Sequence, residues 1–388
     1  GSCSGWASNH RMNSLSSAQP SRFERFGLYY LNLFSRYRTD KSAFGQTDEE
    51  LARQVRWIST KGIVLSSLVG LVCVFPIIYV DVLFADAPAW LHLSWVGGVL
   101  LVATALEFYL LFYISLRAVH RVSELVHMED LMHESLQDGV FGVKNILART
   151  ALEIQDPELK ILGIDPFQRI SKKNLFVLGL LYKGKIIVSN LLLKFGLRVT
   201  VGNRLFGIPI LYAAIPVEIF WNSVVIRKVI HEARLRIFGY VLANRIADTV
   251  SAEGYLSVLS PAAKKGCLRA IGNAVVMTQN YHPNMVILLL RFKDLLQIGE
   301  EDRYDDWQLF LDTLREVNER ERNFLLDLLT VAAAFDGKLS RIEKEHLQEA
   351  YQEDSALYVA RLTALTRHLK QGRLNAALAL CRLDFVKG

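Results

Sequence analysis

The chain has 388 residues, 51% of them hydrophobic, and a net charge of +6. That length allows two or three domains, with enough apolar material for a soluble core beside other parts. Four cysteines, Cys3, Cys73, Cys267 and Cys381, show no paired spacing, which excludes a disulfide framework and a cysteine-based zinc site.

Residues 1–21 are polar, tag-like in Gly1–Arg11 ahead of Met12, and are expected to be disordered. No secretory leader is expected, because the first sixty residues lack an apolar stretch of that type. Residues 22–38 mix aromatic and leucine side chains with Arg22, Arg25, Arg36 and Arg38. Such a segment either lies in the headgroup layer, apolar side down, or packs as a short amphipathic helix on the protein itself. Residues 22–61 thus form an amphipathic juxtamembrane unit. Within it, Thr47 and Glu50 have capping-box spacing and predict a helix that runs straight into the next segment.

Gly62–Phe84 and Leu93–Leu116 each exceed the roughly 20 residues that cross a hydrocarbon core about 30 Å thick. The first carries no charge before Asp81, and the second carries only Glu107. Arg53, Arg56 and Lys61 precede the pair, Arg117 and Arg121 follow it, and the loop Ala85–His92 has Asp86 but no Lys or Arg. Both flanks are therefore expected in the cytosol, with 62–117 a transmembrane hairpin. Pro76 is expected to bend its first arm.

The second arm is expected to continue past Arg117 as an amphipathic helix to about Thr150, within a cytosolic unit at 118–165. Along it His127, Glu129, Asp130, His133 and Glu134 cluster without a three-ligand metal pattern. A second hairpin and a following helix are predicted in 166–250, the hairpin from the apolar runs Asn174–Val201 and Leu205–Ile226, flanked by Arg227, Lys228, Arg234 and Arg236. Gly207, Pro209 and Pro216 make its second arm irregular, kinked or re-entrant.

Lys183, Lys185, Lys194 and Arg198 punctuate that hairpin, where a central charge costs about 2.5–3.5 kcal/mol. At about 100° per residue, Lys183, Asn190 and Lys194 share one face. A polar stripe on an apolar helix faces protein or a wet cavity, and Glu107 and Glu218 are acids inside the neighbouring apolar runs. Three readings follow: a charged path or anion site using Lys183, Lys194, Glu107 and Glu218; Lys–Glu pairs that hold the bundle; or lysines snorkelling from a half-embedded hairpin.

Beyond about Ile226 the pattern becomes that of ordinary amphipathic helices. Ala274–Leu289 and Thr330–Glu345 align at a fixed offset of 56 residues, each a small-residue helix, a polar turn and a new helix. Ser340 and Glu343 have capping-box spacing, Asn284 takes the equivalent cap position, and Gly337 stands where a helix end wants a left-handed residue. Glu300, Glu301, Asp302, Asp305 and Asp306 form an acidic linker between the halves. The pattern predicts an internal helix–turn–helix duplication with approximate two-fold symmetry in 255–375, folding on its own, with 376–388 as a tail.

The stretch Ala332–Glu349, of AAxDGKLSxxExxxL form, resembles the signature of TerB-like domains, named for tellurite-resistance proteins. The resemblance covers about residues 255–375. It implies an all-helical domain of two related halves, free or fused to membrane segments, with acidic residues near the turns that hold metal ions in some members. Only Asp336 and Glu343 keep that pattern here; Asn280 and Ile287 stand at the matching places of the first half. A divalent ion at Asp336 and Glu343 is one reading, and a turn former with a cap the other.

The expected fold is all-α: transmembrane hairpins with four spans, then a cytosolic helical domain with an internal two-fold repeat. No P-loop, GxGxxG, HExxH or GxSxG pattern occurs. Nucleic-acid binding is not expected, because the basic residues concentrate beside the apolar runs. The reading reached is a non-enzymatic inner-membrane protein of bacterial type, both termini cytosolic, with no cofactor beyond that metal. Its TerB-like module would dock a protein partner or sense stress at the lipid bilayer, as a monomer or a homo-oligomer. The alternative is a small transporter or channel subunit with a charged path through its bundle.

Overall fold

The computed structural model describes residues 22–35, 46–126, 142–152, 164, 210–252, 254–278, 282–298, 303–338 and 341–383, and these form helices and no strand. Two helices, α2 (Asp48–Leu83) and α3 (Ala89–Glu124), are long and apolar enough to cross a membrane. The capping box at Thr47 and Glu50 is formed in both directions and starts α2 one residue later. Pro76 lies inside α2 without interrupting it. The helix expected to reach Thr150 stops at Glu124 instead, and α4 (Val143–Ala151) is a separate element. The His127–Glu134 cluster lies outside the described residues.

The N-terminal helix α1 (Arg22–Ser35) packs on α3 and α4. Its rings match α3 in order: Phe26 with Tyr109, Tyr30 with Tyr109 and Tyr113, Phe34 with Tyr113 and His120. α1 therefore runs alongside α3. Its other contacts go to α4, where Gly27 meets Ala148 and Glu24 accepts from Arg149 Nε at 2.6 Å.

The element that organises the molecule is α5 (Ile210–Ala252), 43 residues long, or about 65 Å. The basic residues Arg227–Arg236, expected as the flank between the apolar run and a following helix, lie inside one continuous helix. They are accommodated on its outer side and by pairs such as Glu232–Arg236, one turn apart at 2.9 Å. The first half of α5 packs antiparallel to α2: Gly62 meets Ile226, Ser66 meets Asn222 and Gly70 meets Glu218. Small residues at every fourth position of α2 let the backbones approach. By that register Ile210 stands level with Ile78, near the loop end of the hairpin. Residues 174–201, with Lys183 and Lys194, lie outside the described residues.

The second half of α5 is core. Phe238, Tyr240 and Leu242 are fully buried, and α5 packs on α8 (Pro283–Leu296), whose residues Pro283–Phe292 are all buried. The helical unit expected at 255–375 thus includes part of α5. After the short α6 (Tyr255–Val258), α7 (Pro261–Thr278) with α8, and α10 (Glu319–Ala334) with α11 (Arg341–Tyr351), form two helix–turn–helix units. α7 and α10 end at positions 56 residues apart, as the alignment requires. The halves differ in setting: α8 lies between α5 and α7, whereas α11 packs chiefly on α12 (Ser355–Gln371) and has an exposed side.

The polar turns differ from expectation in two places. The N-cap of α8 is His282, not Asn284, because Pro283 takes the first helical position. In the acidic linker Asp305 is buried and Asp306 caps α9 (Trp307–Glu316) through Leu309 N at 3.2 Å, so these two are structural rather than solvated. Gly337 takes the expected left-handed conformation, with φ +68°.

The last of the described helices, α13 (Leu374–Leu380), returns to the start of α2. Both carboxylate oxygens of Asp48 accept from its first turn, Asn375 N at 2.8 Å and Ala376 N at 3.0 Å. The Arg234 guanidinium on α5 donates to the Lys370 carbonyl near the end of α12.

Candidate functional site

Glu107 and Glu218, two of the charges singled out in the sequence, are both buried where α2, α3 and α5 meet. The residue that ties this layer together is Asn222. Its Nδ2 donates to Glu107 Oε1 at 2.8 Å and to the Ser66 carbonyl at 3.4 Å. Ser66 Oγ donates to the Ile63 carbonyl at 3.0 Å and to the Asn222 carbonyl at 3.4 Å. One residue along, Ser67 and Ser223 hydroxyls meet at 3.0 Å.

Sequence reading missed Asn222, although it sits four residues after Glu218 and therefore on the same helix face. A Cβ on Gly70 would lie 2.7 Å from Asn222 Nδ2 and 3.2 Å from Glu218 Cβ. Only a glycine lets α5 come close enough to bring its amide to Glu107. Asn222 is 1% exposed, and its Oδ1 has no partner among the described residues. Chemically the layer is a hydrogen-bonded clasp between three helices, and among the described residues it holds no arrangement of nucleophile and base.

The second candidate region is the pair of turns in the helical domain. Asp336 is buried and its Oδ1 accepts from Lys338 N at 2.7 Å, closing a turn on itself. Glu343 lies in α11, but its side chain, like Ser340, is outside the described residues. Among the described residues no group of three or more His, Cys, Asp or Glu could hold a metal ion. Asn284 fills the space between the turns, its Nδ2 donating to the Leu235 and Phe335 carbonyls.

His282 stands beside this amide, with Nε2 3.9 Å from Glu232 Oε1 and no hydrogen-bond partner among the described residues. Burial first, and then the nearby Arg236, lower its pKa to about 3; Lys338 acts in the same direction and Glu232 against it. The unfolded imidazole, with a pKa near 6.5, binds a proton that the folded one refuses. This contribution to stability is therefore intact above about pH 6.5 and declines as pH falls towards 3, by up to about 1.4 kcal/mol per unit. Thermal unfolding measured across that range should show the slope, and His282→Asn, which retains a capping side chain, should flatten it.

Cys267 and Cys381 are buried thiols whose pKa is raised by that burial, that of Cys381 to about 12. They are poor nucleophiles. A cavity of about 500 Å³ opens between α9, α10 and α11, with an apolar floor of Leu311, Leu314, Val317 and Ala350 and a rim that includes Arg315, Glu319 and Arg322. No family model, curated protein or solved structure matches the chain.

Proposed function

We propose that this is a non-enzymatic, multi-pass protein of a bacterial-type inner membrane, whose cytosolic TerB-like helical domain docks a partner or senses a condition at the bilayer. The observation that carries the reading is α5. One unbroken helix is clasped between α2 and α3 through Asn222 and then forms the core of the helical domain against α8. A domain seated this way has a fixed position relative to the bundle, which suits docking or signalling more than turnover. The exposed faces of α2 and α3, with Val72, Phe75, Leu101 and Val102 at the surface, suit contact with lipid. Burial of Glu107, Glu218, Asn222 and Ser66 within the clasp supports a scaffold over the transport alternative.

Topology tests the reading. In intact cells, an impermeant thiol reagent should reach a cysteine placed at Pro88, in the loop between α2 and α3, and should not reach one at Ser355 in α12. The four-span arrangement further places Asn203, outside the described residues, on the outer side. Labelling at Ser355 from outside would overturn the orientation. For docking, a photo-cross-linker at Gln352 should yield a discrete product that Leu314→Arg, in the cavity floor, removes; an unchanged product would rule out the cavity as the docking place.

A further inference from the structure

We propose that the basic belt around the cytosolic ends of α2, α3 and α5 binds anionic phospholipid selectively. The proposal rests on the membrane reading above and adds a ligand class to it. The belt follows from helix register. Gly62 against Ile226 sets Lys61 level with Arg227, and the Asp81–His92 contact at 2.9 Å sets Arg56 level with Arg117. All four side chains are exposed, and among the described residues none forms an ion pair or hydrogen bond. Four cations on three helices thus point away from the protein with no acid of their own.

Their depth fits a headgroup layer. Lys61 and Asp81 are separated by about 30 Å along α2, the thickness of a hydrocarbon core. Arg56 and Arg117 then stand about 7.5 Å further out, close to the depth that headgroups add on one side. Trp57 lies between these levels and is 69% exposed, as an interfacial indole would be. At the opposite end, exposed Trp90 and Trp95 lie without a neighbouring Lys or Arg among the described residues. The chemistry that matches paired guanidinium and ammonium groups at this depth is a phosphodiester carried by the bilayer.

The test uses the full chain in phosphatidylcholine vesicles doped with equal amounts of brominated phosphatidylglycerol or brominated phosphatidylcholine. The signal is quenching of Trp57, taken as the difference from Trp57→Phe. The anionic lipid should quench several-fold more strongly, and each charge neutralised in Arg56→Gln and Arg117→Gln should lower that preference by up to about five-fold. Inorganic phosphate, compared with chloride at the same ionic strength, should leave the preference unchanged. Equal quenching by the two lipids, or a preference that survives both substitutions, overturns the proposal. Competition by inorganic phosphate would reassign the belt to a free anion and overturn it as a lipid site. Alkaline extraction is run on the same vesicles: protein released by alkali would bring down the membrane reading and this inference together, whereas retention with equal quenching brings down this inference alone.

Discussion

Gly239→Ala should unfold the helical domain at temperatures where the parent chain is stable, at a cost of about 3 kcal/mol or more. A Cβ there would lie 1.9 Å from Asn284 Nδ2 and 2.3 Å from Asn284 Cγ, so the amide would have to leave its place. That place is where α5, α8 and the end of α10 are joined, with Nδ2 at 3.1 Å from the Leu235 carbonyl and 3.0 Å from the Phe335 carbonyl. Asn284→Ala removes both bonds and should cost about 1–3 kcal/mol. The atoms that crowd Gly239 belong to the Asn284 side chain, so the double substitution Gly239→Ala with Asn284→Ala should be no worse than Asn284→Ala alone. Thermal unfolding of the full chain in detergent, followed by near-ultraviolet circular dichroism, measures all three. Additive losses would show that the clash is with something other than this amide.

The second large effect is expected at the ion pair of Glu24 and Arg149, whose side chains are 12% and 6% exposed. Arg149→Met takes the guanidinium from a buried carboxylate and should destabilise the α1–α4 contact by about 3–5 kcal/mol. Glu24→Gln added to it removes the buried charge and should recover most of the loss. The measurement is limited proteolysis of α1 in the intact protein: rapid cleavage in Arg149→Met, slow cleavage in the parent and in the double variant. Equal cleavage rates in the three would mean that α1 is held by its rings against Tyr109 and Tyr113 instead.

What could be read from the residues alone was local. The capping box at Thr47, the existence of the two long apolar helices, the left-handed Gly337 and the matching ends of α7 and α10 all follow from spacing and residue type. Glu107 and Glu218 drew notice because a carboxylate in an apolar run is expensive. The continuity of α5 was hidden because a basic flank looks the same whether a helix stops or passes on into a cytosolic core. Only packing against α8 distinguishes the two. Asn222 was hidden for a similar reason, since an amide beside a carboxylate has no role until the facing glycine lets a third helix approach. The misplaced cap at Asn284 was within reach: a proline at the first helical position hands the cap to the residue before it, His282.

The contact between Asp48 and α13 has a consequence for how the molecule is made. Synthesis runs from the N-terminus, so α2 is complete long before Asn375 and Ala376 leave the ribosome. Until then the carboxylate that will receive their N–H groups faces water. α13 thus closes onto the first long helix only after translation has passed Ala376. A product stalled before that point would leave the foot of α2 open to a protease, and one carried past it would present that segment shut.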